Sequence, residues 1–210
     1  MFEVTFNEAC KRTVKEDYEW LRIWCDNVND ANLPHVALIG DSITEGYYNA
    51  VKAGLDGVAR VDYLATSYSI NSELYRIIIK SFVEDTDYAA IHFNYGLHDC
   101  AIANDVYEKR YGETVEYLAS KAPTAISTVT NVLDETLTAE RENWKDVVAE
   151  RNRVVFELAK NQGYVVDDLN AVCAKMEKSD RYFDGVHYEA AGYEKLAKEV
   201  IKTIKLLLKK

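Results

Sequence analysis

The sequence predicts an α/β protein: a three-layer α/β/α sandwich around a five-stranded parallel sheet. Short segments rich in Val, Ile, Tyr and Ala alternate along the chain with longer amphipathic stretches, the pattern of a parallel sheet covered by helices. The chain has 210 residues, 48% hydrophobic and 29% charged, enough apolar material for one core and cramped for two. There is no internal repeat, low-complexity tract or Pro/Gly/Ser-rich linker. The expectation is a single domain over residues 1–210, with 1–33 as a helical extension packed on it.

The expected strands run from His35 to Ile39, Ala59 to Leu64, Tyr88 to Phe93, Ala125 to Thr130 and Tyr164 to Val166. All are short and apolar, as strands buried on both faces should be. The only prolines, Pro34 and Pro123, stand just before the first and fourth of these, where a missing N–H does no harm. Helices are expected over Thr13 to Asn27, Tyr47 to Lys52, Ser72 to Phe82, Asp105 to Ala122, Thr138 to Gln162 and Glu189 to Leu208. The fifth has the clearest period: Trp144, Val147, Val148, Val154, Val155, Leu158 and Ala159 recur at three- and four-residue steps. Gly163 supplies its stop.

Charge narrows the partners. With 35 acidic against 25 basic residues the formal charge is -10, a field that repels nucleic acid and anionic membrane surfaces. The lysines between Lys202 and Lys210 alternate with leucines and read as the solvated face of a last helix. Cys10, Cys25, Cys100 and Cys173 are scattered without a C-x-x-C, so reduced thiols are expected rather than a disulfide framework. No signal peptide and no apolar membrane span is visible, which points to the cytoplasm if residue 1 is the natural start, and to a secreted or periplasmic protein if a signal peptide was removed.

In open parallel sheets ligands bind beyond the carboxyl ends of the strands. The first strand runs into Gly40-Asp41-Ser42-Ile43-Thr44-Glu45-Gly46, which seats a serine on a strand-to-helix turn beside the N–H groups of a helix start. Serine also caps helices often, so this turn alone is a weak signal. A serine nucleophile needs a histidine base oriented by an acid. Of four histidines, His35 starts the first strand at its far end and His92 lies within the third as a satisfied sheet residue, which leaves His98 and His187. His187 stands just before the last helix, three residues after Asp184, a spacing that lets the carboxylate hold Nδ1–H while Nε2 faces a serine. The bland reading is an Asx-type turn. The third strand ends in Phe93-Asn94-Tyr95-Gly96-Leu97-His98-Asp99, where Asn94 and His98 could donate to an oxyanion. The same cluster also reads as a loop with Gly96 at positive φ and Asp99 capping the next helix.

Together these blocks resemble the GDSL-type, or SGNH, hydrolases, named for a serine, a glycine, an asparagine and a histidine in four separate blocks. Gly40-Asp41-Ser42-Ile43 is similar to the first and Asp184-Gly185-Val186-His187 to the last. The middle blocks differ: Gly96-Leu97-His98-Asp99 stands where the family has Gly-x-Asn-Asp, and Ala65-Thr66-Ser67-Tyr68-Ser69 holds no glycine. The resemblance implies a flavodoxin-like sheet and acyl-ester hydrolysis without metal or organic cofactor. It implies Ser42, Asp184 and His187 as catalytic residues, and oxyanion or substrate contacts from Ser42, Ser67 (through its backbone N–H), Asn94, Gly96 and His98.

On that reading Ser42 is acylated with His187 as base and water completes the turnover. Tyr47, Tyr48, Tyr68, Tyr95, Tyr182 and Tyr188 cluster in sequence around these blocks, and Tyr47, Tyr68, Tyr95 and Tyr188 are read as an aromatic substrate wall. Aromatic walls suit sugar rings, which favours a carbohydrate ester, with acetyl as the acyl group, as the small-molecule substrate; lipid or small acyl esters and thioesters are the alternative, and ordinary packing is another reading of the tyrosines. A non-catalytic carbohydrate- or small-ligand-binding protein is the competing class. A nucleotide binder lacks a Gly-rich phosphate loop, and a zinc hydrolase lacks histidines at ligand spacing.

Overall fold

The computed structural model describes residues 15–133 and 141–209. Six strands, β1 (Leu21–Trp24), β2 (His35–Gly40), β3 (Arg60–Thr66), β4 (Tyr88–Asn94), β5 (Thr124–Ser127) and β6 (Val165–Asp167), form one sheet in the order β1-β3-β2-β4-β5-β6. The helices are α1 (Ser42–Gly54), α2 (Glu73–Glu84), α3 (Asn104–Ala119), α4 (Trp144–Gln162), α5 (Leu169–Cys173) and α6 (Ala190–Leu207). β2 to β6 are parallel, as the sequence implied.

The period-two alternation of β2 divides the core. Val36 and Leu38 face one way and pack with residues of α1 and α6 such as Tyr47, Val51, Leu196 and Val200. Ala37 and Ile39 face the other and pack with Tyr75 and Ile79 of α2, Tyr107 and Tyr111 of α3 and Val155 of α4. Both faces of the strand are therefore dry from Val36 on, and β2 is apolar from there to Gly40. Gly40 pairs with Ala65 on one side and Asn94 on the other, so β2, β3 and β4 end at one level and their loops gather at one edge.

The sixth strand corrects the expectation of an N-terminal helix over residues 13–27. Residues 13 and 14 lie outside the described part, but Leu21–Trp24 is extended and pairs antiparallel with β3, Leu21 opposite Thr66 and Trp24 opposite Tyr63. Trp20, Leu21, Ile23 and Trp24 fit a helical stripe, yet β3 would otherwise be a bare sheet edge, and aromatic and β-branched residues pair there readily. Asn27, at φ 54°, ends the segment in a left-handed turn that aspartate and asparagine tolerate.

Other boundaries shift for local reasons. β5 stops at Ser127, short of the expected Thr130, because the Asn152 side chain of α4 takes over the backbone of Val129: its Oδ1 accepts the N–H (2.7 Å) and its Nδ2 donates to the carbonyl (3.1 Å). α1 begins at Ser42, five residues before the expected start, since Asp41 caps it by accepting the Ile43 N–H at 2.9 Å. α4 begins at Trp144; of the helix expected from Thr138, residues 138–140 lie outside the described part. It ends as expected at Gly163, left-handed at φ 79°, whose N–H returns to Ala159 at 2.8 Å. Cys10 also lies outside the described residues, and Cys25, Cys100 and Cys173 are free thiols. Among the described residues no helix is long and apolar enough to cross a membrane.

The tightest constraint is Gly40. A Cβ there would stand 2.0 Å from Thr44 Oγ1 and 2.4 Å from the backbone oxygen of Asn94. Replacement Gly40→Ala is expected to lower stability by about 1–3 kcal/mol through overpacking against a backbone atom that cannot yield. Urea unfolding of the variant checks this.

Candidate active site

Ser42 is the first residue of α1, at the edge where β2 ends. Its N–H belongs to the turn of donors that no helix satisfies internally. Its Oγ lies 2.8 Å from His187 Nε2, and His187 Nδ1 lies 2.6 Å from Asp184 Oδ2. The other carboxylate oxygen, Oδ1, accepts the N–H groups of Val186 and His187, both at 2.9 Å. Burial works against charge on Asp184, but the His187 ring and these two N–H groups outweigh it and hold its carboxyl below the ordinary aspartate value. Asp41, behind the serine, is pushed the other way by burial.

The loop that carries Asp184 and His187 is closed by its own backbone. Arg181 and Tyr188 form an antiparallel bridge, Tyr182 N–H donates to the His187 carbonyl (3.0 Å), and Gly185 turns at φ 72°. Arg181 is buried beneath it. Its guanidinium donates to the Tyr188 hydroxyl (2.9 Å), the Cys173 carbonyl (2.8 Å) and both the carbonyl and side-chain oxygens of Asn131 (3.2 and 2.5 Å). The ring of Tyr188 lies under the cation at 4.6 Å.

The 94–102 segment is anchored in the same way by Arg151 of α4, fully buried, which donates to the Asp99 and Ile102 carbonyls (2.9 and 3.2 Å) and to Asn104 Oδ1 (2.9 Å). Asp99 does not cap the following helix as expected. Its carboxylate accepts the N–H of Ile70 (3.1 Å), and burial raises its pKa to about 6. Gly96 is not at positive φ either: at φ 168° its backbone suits any residue, and space is what demands glycine, since a Cβ would meet Val129 Cγ2 at 2.4 Å.

A cavity of about 520 Å³ opens over Ser42, His187 and Asp184, walled by Leu97, His98, Trp144, Val186 and Arg141 and by Lys15 to Tyr18. A second cleft of about 340 Å³ adjoins it behind His98 and Trp144 and reaches Ser67, Ser69 and Glu19. Of the expected oxyanion contacts only Ser42 and His98 line the first cavity. Ser67 donates its N–H to the Trp20 carbonyl at 3.1 Å, continuing the β1–β3 pairing, and so does not offer it to a substrate. Asn94 is buried at the end of β4, below the cavity, with its Nδ2 lacking a hydrogen-bond partner.

The expected tyrosine wall is corrected as well. Tyr47, Tyr95 and Tyr188 are buried in the core, and Tyr68 is half-buried with its carbonyl accepting the Tyr95 hydroxyl, so none of the four lines the cavity. The aromatic walls are Tyr18 and Trp144. The sequence singles out no residue of the N-terminal side, since residues 15–20 read there as part of a helix packed against the sheet or covering the site. His35 pairs with Asp62 at the far end of β2, and His92 is held by Asp167 at 2.8 Å inside the sheet.

A scan against protein-family models gives no match, and neither does a search of curated proteins. Among solved structures the chain has the fold of the GDSL-type hydrolases. It is similar to a lipase/acylhydrolase from Enterococcus faecalis, with a TM-score of 0.68 and 19% identity over 82% of this chain and 95% of that one. An acetylxylan esterase from Geobacillus stearothermophilus matches with a TM-score of 0.65 and 16% identity over 81% and 94%. A member of the lipolytic G-D-S-L family from Veillonella parvula matches with a TM-score of 0.65 and 18% identity over 82% and 98%.

The loop geometry generates a test of its own. Replacing Arg181 by Leu takes a donor from both oxygens of Asn131 and from the Tyr188 hydroxyl and one of two donors from the Cys173 carbonyl, which is expected to cost on the order of 3 kcal/mol. Urea unfolding measures the loss, and the 182–188 loop should become the first cleavage site in limited proteolysis.

Proposed function

We propose that this protein is a serine esterase acting on acyl, most simply acetyl, esters of a hydroxylated alcohol such as a sugar. The observation that carries the reading is the unbroken hydrogen-bonded chain from Asp184 through His187 to Ser42 at the floor of an open cavity. It has the polarity a nucleophile needs. The carboxylate fixes the tautomer with hydrogen on Nδ1, which leaves Nε2 free to take the serine proton.

In the first half-reaction Ser42 Oγ attacks the ester carbonyl and its proton passes to His187 Nε2. The carbonyl oxygen becomes an oxyanion beside the N–H of Ser42 at the positive end of α1. Collapse expels the alcohol with the proton from His187 and leaves an acyl-serine. Water, deprotonated by the same nitrogen, then attacks the acyl group and releases the carboxylic acid and Ser42. Asp184 orients His187 and stabilises its charged form.

The alcohol preference is supported by the cavity walls. Tyr18 and Trp144 offer ring faces, while Lys15, Asp17 and Arg141 offer hydrogen-bonding groups, a mixture that suits a polyhydroxylated leaving group better than an alkyl chain. The likeness in fold to acetylxylan esterases agrees with it.

The test compares the wild type with Ser42→Ala on p-nitrophenyl acetate and on an acetylated xylo-oligosaccharide, following p-nitrophenol and acetate. Turnover is expected to vanish in the variant, and Asp184→Asn, which loses the tautomer control, should lower kcat by about 10⁴-fold. Equal rates in wild type and Ser42→Ala would overturn the reading and favour a binding protein.

A further inference from the structure

We infer that Glu16 is a positioning residue that holds His98 as an imidazolium, so that His98 serves as the second oxyanion donor of the site. The inference rests on the esterase reading and concerns a part of the site that reading leaves incomplete. With the Ser67 N–H engaged by Trp20, Ser42 and His98 are the two expected oxyanion contacts that line the cavity, and a tetrahedral oxyanion is normally held by two donors.

His98 is the candidate the geometry provides. It lines both clefts, and its place is fixed from three directions. Arg151 holds the carbonyl of the next residue, the ring of Trp20 meets its ring edge-on at 5.9 Å, and Glu16 Oε1 lies 2.7 Å from its Nδ1. Glu16 is itself held on a short strap. Trp20 donates its N–H to Ser67 Oγ (2.8 Å) and accepts at its carbonyl from Ser67 and from Thr66 Oγ1 (2.7 Å). Ser67 Oγ in turn donates to Glu19, and Glu19 accepts the N–H of Glu16 at 3.0 Å.

The charge state follows from hydrogen-bond logic. An ionised carboxylate only accepts, so Nδ1 must carry the hydrogen. In the neutral ring Nε2 would then be a lone pair, which repels an oxyanion. Only the cation donates at both nitrogens at once.

The surroundings favour that cation. Burial opposes it, but the hydrogen bond from Glu16 and the charges of Asp41, at the β2–α1 turn, and of Asp99 outweigh burial and raise its pKa. Glu19 adds a further carboxylate from the strap in the second cleft. The first cavity is also lined by Lys15, Arg141 and the Asp184–His187 pair, of which the two cations work against it.

His98 is active when charged, so activity should fall on the alkaline side as His98 loses its proton.

The test has two arms, one independent of turnover. An NMR titration of the His98 ring in the wild type and in Glu16→Ala should show an elevated midpoint that drops by about one pH unit in the variant. In the kinetic arm, Glu16→Ala should move the alkaline limb of kcat to lower pH with KM nearly unchanged. His98→Ala should lose about 10²- to 10³-fold in kcat. His98→Asn, an amide donor that does not titrate, should recover most of that loss and remove the alkaline limb.

Thermal unfolding of each variant separates these effects from misfolding. An unshifted His98 titration in Glu16→Ala, or wild-type kcat in His98→Ala, would overturn the inference while leaving the esterase reading intact. Activity that survives Ser42→Ala would instead remove the reading beneath it.

Discussion

A serine can stand at the mouth of a parallel sheet only if the chain leaves the strand and enters the helix without a side chain in the way. Gly40 meets that condition where any Cβ would strike Thr44 and the backbone of β4. The consequence is a direct hand-over. Asp41 caps, Ser42 opens α1, and the dry alternation of Val36 to Ile39 continues into the helix that presents the hydroxyl. Because Gly40 pairs in register with Ala65 and Asn94, the loops after β3 and β4 are delivered to the same level. The position of every other group in the site is set relative to that close approach.

Loops at a sheet edge need something to hold them, and here two buried arginines do it. Arg151 gathers the 94–102 segment and Arg181 the 181–188 loop, each by donating to backbone carbonyls that converge on it, and each with a tyrosine ring against its cation, Tyr107 at 3.9 Å and Tyr188 at 4.6 Å. The planar guanidinium suits this work, since several fixed donors can satisfy carbonyls that converge from different elements. A buried charge is costly unless its donors are engaged. Here the engagement is also what makes irregular backbone rigid enough to hold His98 and His187 in place.

Much of this was legible in the sequence, for a physical reason. Buried parallel strands leave apolar runs that cannot be hidden, and the Gly163 stop, the two prolines and the period of α4 each follow from a local rule. Ser42, Asp184 and His187 stood out because reactive chemistry calls for a few residue types at strand ends, and the structure brings these three within hydrogen-bond distance. What failed was decided by tertiary contact. Leu21–Trp24 satisfies a helical stripe as well as a strand, and only the open edge of β3 chooses between them. The tyrosines near the motifs proved to be core because neighbours in sequence on an element face opposite ways, and Tyr18 and Trp144 reached the cavity from segments carrying no motif. Ser67 showed an available N–H in the sequence, and its acceptor comes from a segment 47 residues earlier.

That last pairing links the fold to the chemistry. β1 has all four residues exposed and contributes little to the core, so hydrophobic burial does not explain its place in the sheet. Its register on β3 fixes Trp20 opposite Ser67, and four residues before Trp20 the chain puts Glu16 against His98. The same docking that removes the Ser67 N–H from the cavity thus brings in a carboxylate beside a histidine that lines it. An edge strand that looks dispensable by its burial is, on this argument, what sets the charge at the mouth of the site, because one ladder of hydrogen bonds both withdraws a backbone donor and aligns the group that can replace it.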